Sequence, residues 1–310
     1  MLYGVIGFSY DNFAHTRRVF ARTGVHSANL GDNMQTLAVR HLYRQLGVPA
    51  DRIVRIDRDT LRDYDGPQVV LPMNAAFRGA HLPVSPKVTP LWIGFHADEA
   101  ALVAARDWLA TQGVIGCRDP ATAETLRTLG IPAEVTGCLT FCLPARAAPP
   151  DPGEGRVLIV KGKGPGAMPQ EALEAMPPDL LQRSEMIVQR RDMAVLPLTE
   201  VEMDENDRIA EALLQRYHRT ASLIVTPLHH AAAPAIAAGI PVVLVRNTPS
   251  SRFGFLEQLV PVHIGPDFGP GFGAVDWRPE PVDISAVRSR LTDRFNALLA
   301  PWLNRPGVST

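Results

Sequence analysis

The feature that most constrains this 310-residue chain is a repeated alternation of short apolar runs with helical segments. Short, continuously apolar runs suit strands covered on both faces, and their alternation with helices argues for parallel α/β architecture. In the first half, strands are expected at Leu2–Gly7, Arg52–Ile56, Val69–Pro72, Leu91–Phe95, Val114–Cys117 and Ala133–Thr136. Between them, Asn33–Leu46 places Met34, Leu37, Ala38, His41, Leu42 and Leu46 near the 3.6-residue period. Glu99–Ala110 and Ala121–Leu129 behave similarly, each closed by a glycine within a few residues. The pattern lapses at LPARAAPPDPGEG, residues 143–155, a proline- and glycine-rich stretch that reads as a linker. It restarts with strands expected at Arg156–Val160, Met186–Gln189, Leu223–Val225, Val242–Val245 and Val262–Ile264. Helices fit Asn206–Arg219, His229–Ala238, Arg252–Leu259 and Ile284–Leu303, while DENDR, residues 204–208, reads as a solvated helix start. The expected architecture is α/β, with two Rossmann-like domains facing a cleft, residues 1–146 and 155–310, and a long C-terminal helix.

Composition narrows the class. A chain 46% hydrophobic and 20% charged is globular, and a net charge of -1 gives no electrostatic case for a nucleic-acid partner. Cys117, Cys138 and Cys142 are an odd set without a disulfide framework, as in a reduced, cytoplasmic protein. The start MLYGVIGFSYDNF lacks the charged-then-apolar signature of a signal peptide, and no apolar run reaches the roughly 20 residues of a membrane span. A membrane-bound substrate, with the protein at the inner face of the membrane, stays compatible with this, as does an oligomer.

Four segments carry chemistry. In SANLGDNMQTLA, residues 27–38, Gly31 permits a turn and Asp32 or Asn33 caps the next helix; the same residues can face a sugar or an anion. In GVIGCRDPATAETLRTLGI, Arg118 ends a strand, Asp119 caps and Pro120 opens a helix. An arginine at that place suits a carboxylate or phosphate, against the alternative of an Arg118–Asp119 surface pair. In VLIVKGKGPGAM, Lys161 and Lys163 flank a glycine-rich turn that is not a Walker A sequence. In IVTPLHHAAAPAIAAGIPVVLV, Thr226 can cap and Pro227 fits a first turn, so His229 and His230 fall where open α/β sheets bind ligands. His96, in LWIGFHAD, ends a strand of the first half, and two imidazoles at equivalent strand ends suit proton transfer in one cleft. Cys138-x-x-x-Cys142 has no second cysteine pair, so no metal is expected.

NLGDNMQTLAVRHLYRQLG, GCRDPATAETLRTLGI and LIVTPLHHAAAPAIAAGIPVV, in that order, resemble the polysaccharide pyruvyl transferase family. LPMNAAF, PLWIGFHA and GCLTFCL resemble one bacterial branch of it. The resemblance implies a GT-B-like fold and transfer of a pyruvyl group from phosphoenolpyruvate, as co-substrate without a cofactor, to a saccharide, forming a cyclic ketal. The acceptor would belong to a surface polysaccharide or its precursor, lipid-linked or free. Carried over, His229 is the candidate general acid or phosphate ligand and Arg118 the donor clamp. His230, Lys163 and Arg252 join the donor side, and Asn29, Asp32, Gln35, Asn74 and His96 the acceptor side of the cleft.

The chain departs from the family at one place. The Arg-Leu-His of the family reads Pro227-Leu228-His229 here. A lost bidentate anion contact costs about 2–3 kcal/mol unless replaced, with His230, Arg246, Arg252 and Lys163 as candidates. The departure keeps two alternatives open: a glycosyltransferase on the same frame using a nucleotide sugar, and a non-catalytic sugar-binding relative.

Overall fold

The computed structural model describes residues 1–11, 14–151 and 153–303. Two parallel sheets form its frame. The first has the strand order Ile53–Asp57, Leu2–Gly7, Val69–Pro72, Val88–Leu91. The second has the order Ser184–Val188, Arg156–Lys161, Ala221–Thr226, Val242–Arg246, Val262–Ile264. Their central strands are fully covered, Val5, Val70, Leu158 and Ile224 being inaccessible, which is why these runs are apolar without alternation.

One hydrophobic cluster spans both halves, joining Tyr3, Met34 and Tyr43 to Leu158, Ile224 and Phe295. The C-terminal helix Ser285–Leu303 lends Leu291, Phe295 and Leu299 to it, and the Tyr3 hydroxyl donates to the Trp302 carbonyl at 3.0 Å. The halves are also stitched by an antiparallel pair the sequence did not announce, His26–Asn29 with Arg190–Met193. The expected linker is anchored where it is described: Arg146 donates to the carbonyls of Ala221 and Gly239 at 2.7 and 3.1 Å. Its residue 152 lies outside the described residues, as do 304–310.

Several expected elements shift, for local reasons. The strand expected at Leu91–Phe95 runs instead over Val88–Leu91, including Pro90, which its place at the sheet edge allows. Gly94, at φ +69°, then turns the chain under Asn74, whose Oδ1 would lie 2.0 Å from a Cβ at that position. Phe95 instead bridges to Cys117, and His96–Ala97 pairs with Ala76–Phe77. The helix expected at Glu99–Ala110 breaks at Ala105 into Glu99–Ala104 and Arg106–Leu109. The segment Arg252–Leu259 is not an α-helix but two 3-10 turns, Ser251–Phe253 and Leu256–Gln258, separated by Gly254.

The helix expected from Asn206 begins at Glu200, because Thr199 and Glu202 form a capping box. DENDR therefore lies inside it and is not merely solvated: Asp204 and Asp207 pair with the nearly buried Arg55 at 2.6 and 2.8 Å. Asp207 also accepts from Asn33 at 2.7 Å, a further tie between the halves.

Candidate functional site

The site is built where the Leu30–Gln45 helix of the first half meets the start of the His229–Ala237 helix of the second. Asn29, not Asp32 or Asn33, caps the first of these, its Oδ1 accepting from the Gly31 N–H at 3.1 Å. Asp32 holds the cap instead. Its Oδ1 accepts from Asn29 Nδ2 at 3.1 Å and its Oδ2 from the Tyr10 hydroxyl at 3.0 Å. The Tyr10 hydroxyl in turn accepts from the Asn29 N–H at 3.0 Å, and Tyr10 sits at φ 61°, a left-handed conformation unusual for a tyrosine.

The second helix starts later than its sequence suggests. Thr226 is buried, donates to the Val160 carbonyl at 2.6 Å and accepts from the Leu228 N–H at 3.1 Å. The cap position falls to Leu228, so Pro227 lies just before the helix. Pro234 sits within the helix and has no N–H for the carbonyl four residues earlier, that of His230. That carbonyl is taken by Gln189 Nε2 at 3.0 Å, while Gln189 Oε1 accepts from the Tyr217 hydroxyl at 3.1 Å. Gly31 packs against the same spot, where a Cβ would lie 2.6 Å from Gln189 Nε2 and 3.0 Å from the His230 Cβ. Replacing Gln189 by leucine strands the His230 carbonyl and the Tyr217 hydroxyl in the interior. We expect a loss of about 1–3 kcal/mol in denaturant unfolding, together with a weakened donor site.

The resulting pocket has a volume of about 210 Å³, with Asn29, Gly166, Gln189, His229, His230, Arg246, Arg252 and Phe253 among its lining residues. His229 is 7% exposed, and its ring lies 4.8 Å from that of His230 and 5.8 Å from Phe253. Both its ring nitrogens are buried without a hydrogen-bond partner among the described residues. Arg118 is 1% exposed; Nη1 donates to Gln35 Oε1 at 3.3 Å, while Nε and Nη2 have no hydrogen-bond partner among the described residues. It is no surface pair with Asp119, which instead binds His96 Nδ1 at 2.8 Å and the Thr122 N–H at 2.9 Å. Unpartnered buried donors are rare and costly in a native fold, so their gathering here points to a ligand that satisfies them.

Arg246 answers the question raised by Pro227. It is buried, stacks on Phe253 at 4.2 Å, and donates to the Pro227 carbonyl at 2.8 Å. A guanidinium reaching in from the neighbouring strand thus stands beside the position at which the family carries its arginine. Arg252 lies in the pocket wall. It is open to solvent on one side yet largely enclosed by protein, and burial, with repulsion from Arg118, pushes its pKa down to about 10.

Burial is the main influence on both histidines. It holds His229 and His230 well below the ordinary imidazole value, reinforced at His229 by His230, Arg118 and Arg252 and at His230 by Arg118 and Arg252. His96 is lowered by burial against the opposing pull of Asp119. Outside the pocket, burial lowers His26 to about 4. The folded state therefore prefers these side chains neutral, whereas the unfolded chain protonates near 6.5. Stability is complete above that value and falls as the pH drops from it toward 4. A melting temperature that declines steadily from pH 7 to 5 is the expected result; one that is flat across that range contradicts these assignments.

The expected residues do not all converge. Asn29, His229, His230 and Arg252 line the pocket; Arg118 and His96 are within electrostatic reach of His229. Gln35 holds Arg118, and Asp32 holds Asn29. Asn74 stands one step back: its Oδ1 accepts from the Leu139 N–H at 3.0 Å and from Cys138, whose sulfur lies 3.8 Å from His230 Nε2. Lys163 is not in the pocket wall; it is exposed and bound to Asp192 at 2.9 Å. Gln189 was missed, and Pro234 was the signal that could have found it. Among the described residues, no group of three or more His, Cys, Asp or Glu side chains is placed to hold a metal ion.

The pocket is lined by His229, His230, Arg246 and Arg252, with Arg118 within electrostatic reach, a lining whose chemistry suits an anionic ligand. The family model described as polysaccharide pyruvyl transferase matches residues 29–249, and the chain belongs to that family of transferases. No curated protein and no solved structure matches the chain. Among the described residues no helix is long and apolar enough to cross a membrane.

Proposed function

We propose that this transferase takes its pyruvyl group from phosphoenolpyruvate and places it as a cyclic ketal on a saccharide of a surface polysaccharide or its precursor. The observation that carries the reading is the set of unpartnered donors on Arg118 and His229, joined by Arg246 and Arg252. A carboxylate and a phosphate on one small molecule need more than one guanidinium, and Arg246 supplies the charge that Pro227 does not.

In the reaction, one acceptor hydroxyl oxygen bonds to C2 of the donor, its own proton passing to solvent, while His229 delivers a proton to C3. The bond from C2 to the phosphate oxygen then breaks, phosphate leaves, and a second hydroxyl oxygen bonds to C2, its proton departing with phosphate or to solvent. His229 is neutral in the free protein, so it must gain a proton before it can give one. The donor's negative charge, placed among Arg118, Arg246 and Arg252, offsets the repulsion from Arg118 and Arg252 that adds to burial in lowering the imidazole pKa, and so favours its protonation. Donor binding and proton uptake are therefore coupled, and His229 becomes the general acid only in the loaded site. Asn29 faces the acceptor from the end of the His26–Asn29 strand, and a GT-B-like frame is the arrangement we infer for the two parallel sheets.

The test is product formation. The protein is incubated with phosphoenolpyruvate and a panel of free and diphosphate-linked hexoses, and phosphate release and a new ketal methyl resonance are followed. Acceptor-dependent phosphate release together with the ketal supports the reading. Transfer of a glycosyl group from a nucleotide sugar instead would replace it.

A further inference from the structure

The donor pocket leaves Lys163 unused, together with His15 and Arg190, which gather around the far end of the strand that carries Asn29. His26 and Ser27, at the other end of that strand, form part of a second cavity of about 400 Å³. It is closed on one side by His15 and Thr16 of the Ala14–Thr23 helix and on the other by Lys163 and Arg190. We propose that this cavity holds the diphosphate of a diphosphate-linked saccharide acceptor, an inference that rests on the transferase reading above.

The chemistry of the lining is that of an anion site. His26 is 8% exposed, and its Nε2 is buried without a hydrogen-bond partner among the described residues. Arg190 is fixed beside it, donating to the Ser27 hydroxyl at 3.1 Å and to the Ser27 carbonyl. Lys163 and His15 are exposed at the mouth. Asp192 neutralises Lys163 at 2.9 Å, so an entering diphosphate competes with a carboxylate for that ammonium.

The geometry ties the cavity to the reaction. Asn29 lines the donor pocket and His26 the second cavity, and one strand carries both. Three residues of extended chain separate them by about 10 Å. A saccharide whose reacting hydroxyls lie at Asn29 thus carries its anomeric diphosphate toward Ser27, on the same face of the strand, and toward Lys163 and Arg190.

The flanking helix fits a lipid-borne acceptor. Ala14–Thr23 buries none of its residues and has no acidic side chain in its first turn. Arg18 and Arg22 stand three and seven positions after His15, on its side of the helix, while Val19 and Phe20 are half-buried. Basic side chains beside an apolar stripe suit the surface of an anionic membrane or micelle.

Calorimetric titration of inorganic pyrophosphate into the full-length protein, with phosphoenolpyruvate already saturating, tests the assignment. Pyrophosphate is expected to bind without displacing phosphoenolpyruvate. Lys163→Gln and His15→Gln each weaken it about tenfold, Asp192→Asn tightens it, and phosphoenolpyruvate affinity stays unchanged in all three. Pyrophosphate that binds only by displacing phosphoenolpyruvate, or that is indifferent to these substitutions, overturns the proposal. If phosphoenolpyruvate does not bind while pyrophosphate binds with the expected dependence, the donor reading fails and the anion site stands. A polyprenyl diphosphate hexose in micelles and a uridine diphosphate hexose separate the two sources of the diphosphate. Tighter binding of the lipid form, lost in Arg18→Gln/Arg22→Gln, assigns the lipid; the reverse order assigns the nucleotide.

Discussion

Replacing His229 by alanine is expected to lower turnover by about 10³-fold or more while the protein remains folded. The two halves of this expectation rest on the same fact. Neither ring nitrogen of His229 has a partner among the described residues, so the imidazole ties no element to another. Its removal leaves a small void, and it also relieves a buried polar group of its unpaired state, worth about 1–3 kcal/mol in the opposite direction. The melting temperature should therefore shift by only a few degrees. Turnover collapses because no other imidazole has the same standing: His230 is turned toward Cys138, and His96 is held by Asp119 and Thr122. Full activity in His229→Ala would remove it from the mechanism.

Arg118→Lys is expected to weaken phosphoenolpyruvate about 30- to 150-fold, equivalent to roughly 2–3 kcal/mol. Lysine keeps the charge but loses the planar fork, and its ammonium cannot hold Gln35 and a bidentate anion in the same directions. A second reading of the same variant comes from stability. In the wild type, phosphoenolpyruvate at a hundred times its dissociation constant stabilises the fold by about 2.7 kcal/mol, because it binds the folded state and not the unfolded chain. That stabilisation should fall to about 0.3–0.9 kcal/mol in Arg118→Lys at the same concentration. An unchanged affinity would mean that the buried guanidinium serves packing alone.

How much of this was legible in the sequence depends on the range of the interaction. Elements set by local pattern were readable: the apolar runs of both sheets, the Asp119 cap with Pro120 behind it, and the C-terminal helix. Elements set by long-range contact were not. His26–Asn29 and Arg190–Met193 carry no strand signature of their own and exist because they pair with each other across more than 160 residues, as Arg190 with Ser27 shows. Pro90 hid a strand, since a proline in a strand is tolerated only when the tertiary structure leaves that strand at an edge.

The site followed the same division. Arg118, His229 and Asn29 stand at strand ends and helix starts, where sequence position alone predicts a cleft. Lys163 looked equivalent, next to a glycine-rich turn, but the turn points it toward Asp192 and the second cavity. Gln189 and Arg246 belong to the pocket through a missing N–H at Pro234 and the carbonyl of Pro227 respectively. Both prolines were visible; Arg246 was among the candidates to replace the arginine missing at Pro227, whereas Gln189, between two strands, carried no signal of its own.

The most direct test of the central claim is calorimetric titration of the protein with phosphoenolpyruvate in two buffers of different ionisation enthalpy, with UDP, GDP and CMP titrated in parallel. The account predicts micromolar binding of phosphoenolpyruvate, with a heat that differs between the buffers because His229 takes up a proton, and no buffer dependence in His229→Ala. Absence of phosphoenolpyruvate binding together with binding of one of the nucleotides would contradict it and assign the pocket to a nucleotide-sugar donor.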